Sequence, residues 1–581
     1  MKKVVCKKFM ALILCMVLII SMMLTTSVFA VNGLTVDCAN VLRGVTYCAS
    51  GSLYGFTVDK PADLNGLVAP LKPYVLRNPS RTGYGHQHDN NAAAIPVAQR
   101  LIGIPTARVS VDLADMLPGW PYQWPGMTSW LNQVRSFISD KKASGLNNFY
   151  GYEPWNEPDG TWNNANGSFE NMWKQTYDVI RQNDPGAKII GPCYSYYHND
   201  RMRNFLSFCK TNNCIPDIMS WHELSGIQNV SNNINTYRAL EASLGIRQLP
   251  LSINEYCDAD HALEGQPGSS ARFIGKFERY KVESACITWW FVPQPGRLGS
   301  LLATDTQRGA GWYFYKWYGD MTGNMVNVTP PNDASALVDG AACVDSNSRY
   351  ISFIFGGPND GTISTIFNNI PSFIGSNATV KVEKIDWASK DTVSYGPSTI
   401  STSNYQVVNG RITVTLTGCN ASSGYRIYIT PGNGGSSGIV SGGTYKIINR
   451  NSGKLVDVDN ASTADGASVL QWSDNGGNNQ KWIITNTSNG YTVKCANSGK
   501  LLDVDNGSTA DGANVLQWFD NGGSNQRWNI IDLGNGYFKL VNVKSNKALD
   551  VYENQTSNGA NVIQWFDNGG YNQQWQLVRV Q

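Results

Sequence analysis

The sequence predicts a multi-domain fold: a (β/α)8 TIM barrel over residues 31–330, an appended β-sandwich over 331–430 and a separate all-β unit over 442–581. Three observations predict it. Apolar β-like runs first alternate with helical segments, then strands follow one another without helices, and finally one pattern recurs three times. The length of 581 residues agrees, because chains divide into domains of roughly 150 residues. A hydrophobic fraction of 42% is enough for packed cores. Lys and Arg number 46 against 44 for Asp and Glu. No basic surplus exists to neutralise a nucleic-acid backbone, so no nucleic-acid partner is expected.

The first element, residues 1–30, reads as a signal peptide. Lys2, Lys3, Lys7 and Lys8 form a basic start, Phe9 to Leu24 is uncharged and almost wholly apolar, and Val28-Phe29-Ala30 offers a small-residue cleavage site. The expected mature protein is secreted and extracellular, without a membrane anchor. Export permits disulfides, and Cys38/Cys48 and Cys209/Cys214 are close enough in sequence to pair. The scatter of the cysteines shows no metal-ligand spacing, so no metal or cofactor is expected.

Eight β-like runs then alternate with helices: VLRGVTY, YVLRNPS, ARVSVDL, NFYGYEP, AKIIGPCY, DIMSWHEL, LPLSINEY and ACITWWF. Segments such as FENMWKQTYDVIRQND between them carry helical apolar spacing. YISFIFG, ATVKVEKI and GRITVTL follow as alternating strands of the sandwich. Residues 431–441 are a Gly/Ser-rich linker. Beyond it, GKLVDVDNASTADGASVLQW from Gly453, GKLLDVDNGSTADGANVLQW from Gly499 and NKALDVYENQTSNGANVIQW from Asn546 repeat, each followed by an NQxW block. Three copies suit a closed threefold object built of short strands and Gly-rich turns.

In a TIM barrel, chemistry sits at the C-terminal ends of the strands. The fourth run ends in Tyr152-Glu153-Pro154-Trp155-Asn156-Glu157-Pro158-Asp159 and the seventh in Ile253-Asn254-Glu255-Tyr256. Two carboxyl groups on two strand tops are what retaining glycoside hydrolysis needs, one as acid and one as nucleophile. Glu153 and Glu223 compete for these roles. His222 is expected to take the inward position beside Glu223, because strand neighbours alternate faces. His86, His88 and Asp89 read as a substrate-lining loop rather than a metal site.

The Trp155-Asn156-Glu157-Pro158 motif followed by Glu255 resembles clan A glycoside hydrolases, and the surrounding WNEPD resembles family 39, which includes β-xylosidases and α-L-iduronidases. The resemblance implies Glu157 as acid/base and Glu255 as nucleophile, with Asn156 on the sugar 2-hydroxyl. It further implies Arg77, His222, Tyr256 and Trp289 (or Trp290) as substrate-binding or orienting groups. The C-terminal repeats resemble a ricin-type β-trefoil lectin domain, carbohydrate-binding module family 13. That implies sugar sites Asp457/Trp472/Gln480, Asp503/Trp518/Gln526 and Asp550/Trp565/Gln573, with Trp482, Trp528 and Trp575 in the core. The alternative for the three Asp is turn capping. The expected partner is a plant-type polysaccharide or oligosaccharide, and a β-xylosidase-like activity is favoured. An arabinosidase, galactosidase or endo-acting enzyme, or a non-catalytic sugar-binding protein, are the alternatives.

Overall fold

The computed structural model describes residues 33–81, 92–259, 261–288, 296–357, 361–432, 439–487, 489–534 and 537–580. The expectations for the signal peptide, for His86, His88 and Asp89, for Trp289 and Trp290 and for most of the linker lie outside the described residues. The chain forms two compact units, Met1–Gly432 and Asn433–Gln581.

In the first unit the strands are β1 (Gly33–Gly44), β2 (Gly51–Leu53), β3 (Val75–Pro79), β4 (Arg108–Asp112), β5 (Phe149–Glu153), β6 (Ile190–Tyr194), β7 (Ile218–Glu223), β8 (Leu251–Tyr256) and β9 (Ser284–Ile287). They continue with β10 (Asn324–Thr329), β11 (Asp339–Asp345), β12 (Tyr350–Gly356), β13 (Gly361–Asn368), β14 (Asn377–Ile385), β15 (Ser398–Gln406), β16 (Ile412–Cys419) and β17 (Gly424–Pro431). β2 to β9 make one eight-stranded sheet in the order β5-β4-β3-β2-β9-β8-β7-β6. It closes through a parallel bridge between Tyr152 and Ile189. The connecting helices are amphipathic. In α1 (Phe169–Asn183), Phe169, Met172, Trp173, Thr176, Val179 and Ile180 face inward, the 3–4 spacing of a helix lying on a sheet. The Ser168 side chain caps its start by accepting from the Asn171 N–H at 3.3 Å.

The first strand corrects the sequence expectation. VLRGVTY does not open the barrel; its leading residues end β1, which pairs antiparallel with β10 and parallel with β13. The barrel opens instead with the three-residue β2, Gly51-Ser52-Leu53. A Cβ on Gly51 would lie 2.4 Å from the Ala285 carbonyl oxygen and 2.5 Å from that of Val75. Only glycine fits between these neighbours, and a short Gly/Ser strand carries no apolar periodicity to read.

The sandwich is accordingly larger than residues 331–430. It is one nine-stranded sheet, β15-β14-β17-β12-β11-β10-β1-β13-β16, that takes in β1 and β10 from outside that span. The sheet curls over a single core. Phe353 of β12 and Phe367 of β13 are separated by three strands in the sheet, yet their rings meet at 5.9 Å. Helix α2 (Pro267–Arg279) lies against this sheet. The approach is close: a Cβ on Gly268 would fall 2.0 Å from the Ala421 carbonyl oxygen and one on Gly275 2.6 Å from that of Gly340. The Arg279 guanidinium pairs with Asp339 at 2.6 Å, and that of Arg43 with Glu278 at 2.8 Å. Cys38 sits in the sandwich core and Cys48 in the barrel core; all ten described cysteines, Cys209 and Cys214 included, are free thiols.

The second unit is a β-trefoil. Trp482, Trp528 and Trp575 occupy equivalent places at its centre, fully buried. Their indole N–H groups donate to the carbonyls of Val456, Leu502 and Leu549 at 2.9, 3.0 and 3.1 Å.

Candidate active site and lectin sites

The barrel interior is organised by one arginine. Arg77, on β3 and fully buried, donates Nε to Glu153 at 2.5 Å and Nη1 to Glu255 Oε1 at 2.7 Å. Its Nη2 donates to Asp112 at 2.7 Å and to the Asn156 side-chain oxygen at 2.9 Å. Burial opposes the arginine's charge, but Glu153, Asp112 and Glu255 together hold it firmly protonated. Glu153 also accepts from Ser110 at 2.5 Å and from Asn254 at 2.8 Å. With a fourth donor in the Cys193 thiol at 3.6 Å, and buried, it serves as an anchor for Arg77.

Glu157 stands at the mouth, with its side chain 13% exposed against 3% for Glu255. Its backbone is left-handed, φ 49° and ψ 52°, a conformation that a bulky residue adopts only when its surroundings impose it. The following Pro158 disfavours the ordinary helical alternative. The Glu157 N–H also donates to the Cys193 carbonyl at 2.9 Å. His222 lies between the two glutamates, its Nδ1 3.1 Å from Glu157 Oε1 and 3.5 Å from Glu255 Oε2. One carboxylate oxygen from each glutamate and one His222 ring nitrogen all fall within 4.8 Å of one another.

Burial lowers the tendency of His222 to carry a proton, yet the neighbouring Glu255 and Glu157 raise it above its ordinary value. Burial pushes the Glu255 carboxyl upward, against the pull of His222 and Arg77. Among the described residues, Glu255 Oε2 accepts no hydrogen bond. Thus one oxygen is held by Arg77 and the other is left for a ligand.

Of the sequence-derived site residues, the structure brings together Arg77, Asn156, Glu157, His222 and Glu255. It separates Tyr256, which is a correction. The Tyr256 ring packs against Phe273 and Phe277 of α2, and its hydroxyl donates to the Ala49 carbonyl at 3.2 Å, away from Glu255. The strand alternation that turns His222 inward also turns Glu223 outward, onto the indole N–H of Trp221 at 2.7 Å. Applied to Glu255, the same rule sends Tyr256 to the helices.

In the trefoil, Asp457, Asp503 and Asp550 accept from Gln480, Gln526 and Gln573 at 2.7, 2.7 and 2.8 Å. This corrects the expectation for the three glutamines. Gln480 is fully buried. Its amide also donates to the Ser473 carbonyl at 2.9 Å, and its oxygen accepts from Asn475 N–H at 2.9 Å. It braces Asp457 and, buried with both amide N–H groups taken, has no donor left for a sugar; Gln526 and Gln573 repeat the arrangement. Trp472 is 40% exposed and lies on the same face of its hairpin as Asp457. Each ring of this set, Trp472 exposed and Trp518 and Trp565 half-buried, rests on a glycine of another repeat: Trp518 on Gly466, Trp565 on Gly512 and Trp472 on Gly559. The repeats therefore interlock in a ring.

Comparison with known proteins follows this division. Residues 436–518 and 524–581 match the family model described as ricin-type beta-trefoil lectin domain-like. The solved structure of N2152 from Neocallimastix frontalis is 63% identical, with TM-score 0.68, over 69% of this chain and 100% of that one. The chain belongs to the same family as N2152. A monomeric beta-xylosidase from Caulobacter crescentus CB15 shares the fold at 15% identity and TM-score 0.50, over 69% of this chain and 99% of that one. Two curated relatives are a 3-O-alpha-D-galactosyl-alpha-L-arabinofuranosidase of Bifidobacterium longum subsp. longum, 28% identical, and a 3-O-beta-L-arabinopyranosyl-alpha-L-arabinofuranosidase of Bifidobacterium pseudocatenulatum, 26% identical. They cover 56% and 69% of this chain, which spans only 31% and 48% of their own lengths.

Two carboxylates of the site, Asp112 and Asp115, carry no sequence signal, and the part played by Glu153, read from sequence as a rival acid, is not legible there either. Asp112 and Glu153 share Arg77, while Asp115 accepts from the hydroxyls of Tyr54 and of Tyr122, the latter at 2.7 Å. The Tyr122 ring in turn meets Trp155 at 5.2 Å. These carboxylates lie at or just past strand ends, which is the one cue that could have drawn attention to them.

Proposed function

We propose that the protein is a secreted retaining glycoside hydrolase acting on arabinofuranose-containing oligosaccharides or polysaccharides of plant type, with the trefoil holding it on its substrate. The observation that carries the reading is that one carboxylate oxygen of Glu157 and one of Glu255 come within 4.8 Å of each other, with His222 Nδ1 at 3.1 and 3.5 Å from the two glutamates. Retaining enzymes place their carboxyl groups about 5–5.5 Å apart, whereas inverting enzymes separate them by about 6.5–9.5 Å to admit a water.

In the first step Glu255 Oε2 attacks the anomeric carbon as the bond to the leaving oxygen breaks, and Glu157 gives that oxygen its proton. In the second, Glu157 takes a proton from water, whose oxygen displaces Glu255 and restores the original configuration. Arg77 keeps Glu255 charged and, by taking the Asn156 oxygen, turns the Asn156 amide N–H groups toward the sugar 2-hydroxyl. The names of the two curated relatives favour an arabinofuranoside over the xyloside expected from sequence. Initial rates on aryl α-L-arabinofuranosides, β-D-xylosides and galactosides, with NMR of the first-formed anomer, test this. Preference for the xyloside overturns the sugar assignment, and an inverted first product overturns the mechanism.

A further inference from the structure

Beyond β8, two residues past Glu255, three metal-type donors meet that the proposed hydrolysis does not use. His261 Nδ1 lies 3.0 Å from Cys257 Sγ and 3.3 Å from Glu264 Oε1. One ligand atom from each of the three falls within 4.8 Å of the others. A single loop with a 3-10 turn at His261–Leu263 supplies them all, in the spacing Cys-x3-His-x2-Glu.

We propose that Cys257, His261 and Glu264 form a structural site for a divalent cation of the zinc class. A tetrahedral zinc, with bonds of about 2.3 Å to sulfur and 2.0–2.2 Å to nitrogen and oxygen, spaces its ligands by about 3.3–3.6 Å. The histidine–glutamate pair already has that span, and the histidine–cysteine pair must open by about half an ångström. A thiolate, an imidazole and one carboxylate form a borderline-soft set, unlike the all-oxygen shells that magnesium and calcium select.

The surroundings fit a built site. The Thr288 hydroxyl donates to Glu264 Oε1 at 2.9 Å and that of Ser300 to Oε2 at 3.2 Å, which fixes the carboxylate's orientation as outer-shell partners of metal ligands do. Asp258 is engaged with Ser269 and Arg272, at 3.2 and 3.3 Å, so it does not complete the set. The His261 side chain is 25% exposed, and the fourth ligand we assign is a water. Cation binding displaces the thiol proton to solvent as the metal–sulfur bond forms. The ion ties the loop to the end of β8 and so steadies the strand that carries Glu255.

The test uses the full chain, stripped with a chelator and re-dialysed against zinc chloride or cobalt(II) chloride. One zinc per chain is expected by elemental analysis. The cobalt form should show a sulfur-to-metal charge-transfer band in the near ultraviolet and tetrahedral bands in the visible. Cys257→Ser should abolish the charge-transfer band. It should also weaken zinc binding by roughly 100-fold or more, beyond the 10–100-fold typical of losing an outer-shell partner. His261→Asn, at a partly exposed position, should weaken binding similarly and guards against a folding artefact at Cys257. Glu157→Gln should keep the band. A stripped chain that binds no zinc, or a Cys257→Ser variant that binds as wild type, overturns the proposal. Loss of binding in Glu157→Gln but not in Cys257→Ser overturns it too, by moving the metal to the Glu157–His222–Glu255 cluster.

Discussion

Replacing Arg77 by lysine keeps a positive charge in the barrel but removes the fork that reaches four partners. A lysine ammonium in that space can meet about two of them, so roughly two charge-assisted bonds of about 1.5–3 kcal/mol each are lost. Glu255, held at 2.7 Å by Nη1, is the partner that matters for rate. Opposite charges about 4 Å apart interact by about 4 kcal/mol at an effective dielectric of 20, equivalent to about three pH units for complete loss of the cation. Because lysine retains the charge at a longer and less directed distance, a shift of about one unit is expected. The sign follows from the proposed reaction, in which Glu255 attacks only when ionised. Burial already pushes its carboxyl upward, and weakening its cation pushes it further. The acidic limb of kcat/KM against pH should therefore move to higher pH by about one unit, with the activated aryl glycoside as substrate so that protonation of the leaving group is not limiting. Circular dichroism and thermal unfolding establish that the variant is folded. A folded Arg77→Lys enzyme whose acidic limb coincides with that of wild type would refute the idea that Arg77 keeps the nucleophile charged.

Other outcomes follow from the same geometry. Glu255→Ala should abolish turnover, with azide restoring an inverted product; Glu157→Ala should lose about 10²–10⁴-fold on poor leaving groups, keep most activity on activated ones, and give a retained azide adduct. Replacing Asp457, Asp503 and Asp550 together by Ala should remove retardation in polysaccharide-containing gels while leaving turnover of a small glycoside unchanged; unaltered retardation would make these residues turn caps. A chain retaining only the Asp550 site should lose affinity as pH falls through about 6, because burial raises that carboxyl to about 6 and only its ionised form accepts from two hydroxyls, as glycan titration at several pH values can measure. Gly51→Ala should destabilise the barrel by about 3 kcal/mol or more, since its Cβ would lie 2.4 Å from a backbone oxygen that cannot move aside; an unchanged denaturation midpoint would contradict the packing described.

How far the fold could be read depended on whether an element carried its own pattern. The trefoil was legible because its pattern is stated three times, and seven barrel strands because each has an apolar run between helices. β2 has no such run, and β1 looks like any strand until its distant partners are known. At the site, Glu157 and Glu255 stand out through their neighbours in sequence, and His222 follows from alternation. Asp112 and Asp115 stay hidden, and Glu153 reads as a rival acid rather than an anchor, because what defines them is a shared arginine or tyrosine from another segment of the chain. Gln480 misled in the opposite direction: the spacing to Asp457 is real, but it records a brace inside the domain. The ring formed by Cys257, His261 and Glu264 escapes a reading that looks for paired cysteines.

The placement of β1 has a consequence for the order in which the chain can be assembled. Thr35 pairs with Thr329 and with Ile366, so β1 waits for the whole barrel to be synthesised before its partners exist. Synthesis at about 5–20 residues per second makes that wait tens of seconds. Through it, a strand with buried Leu34, Val36 and Cys38 has its edges unmatched and open to pairing with other chains. The barrel, whose strands mostly join neighbours in sequence, can form during this interval, and the curled sheet closes last by capturing its own beginning. A chain started after residue 44 would leave β10 and β13 with bare edges in the finished molecule. It should aggregate even though Arg77, Glu157, His222 and Glu255 are all still present.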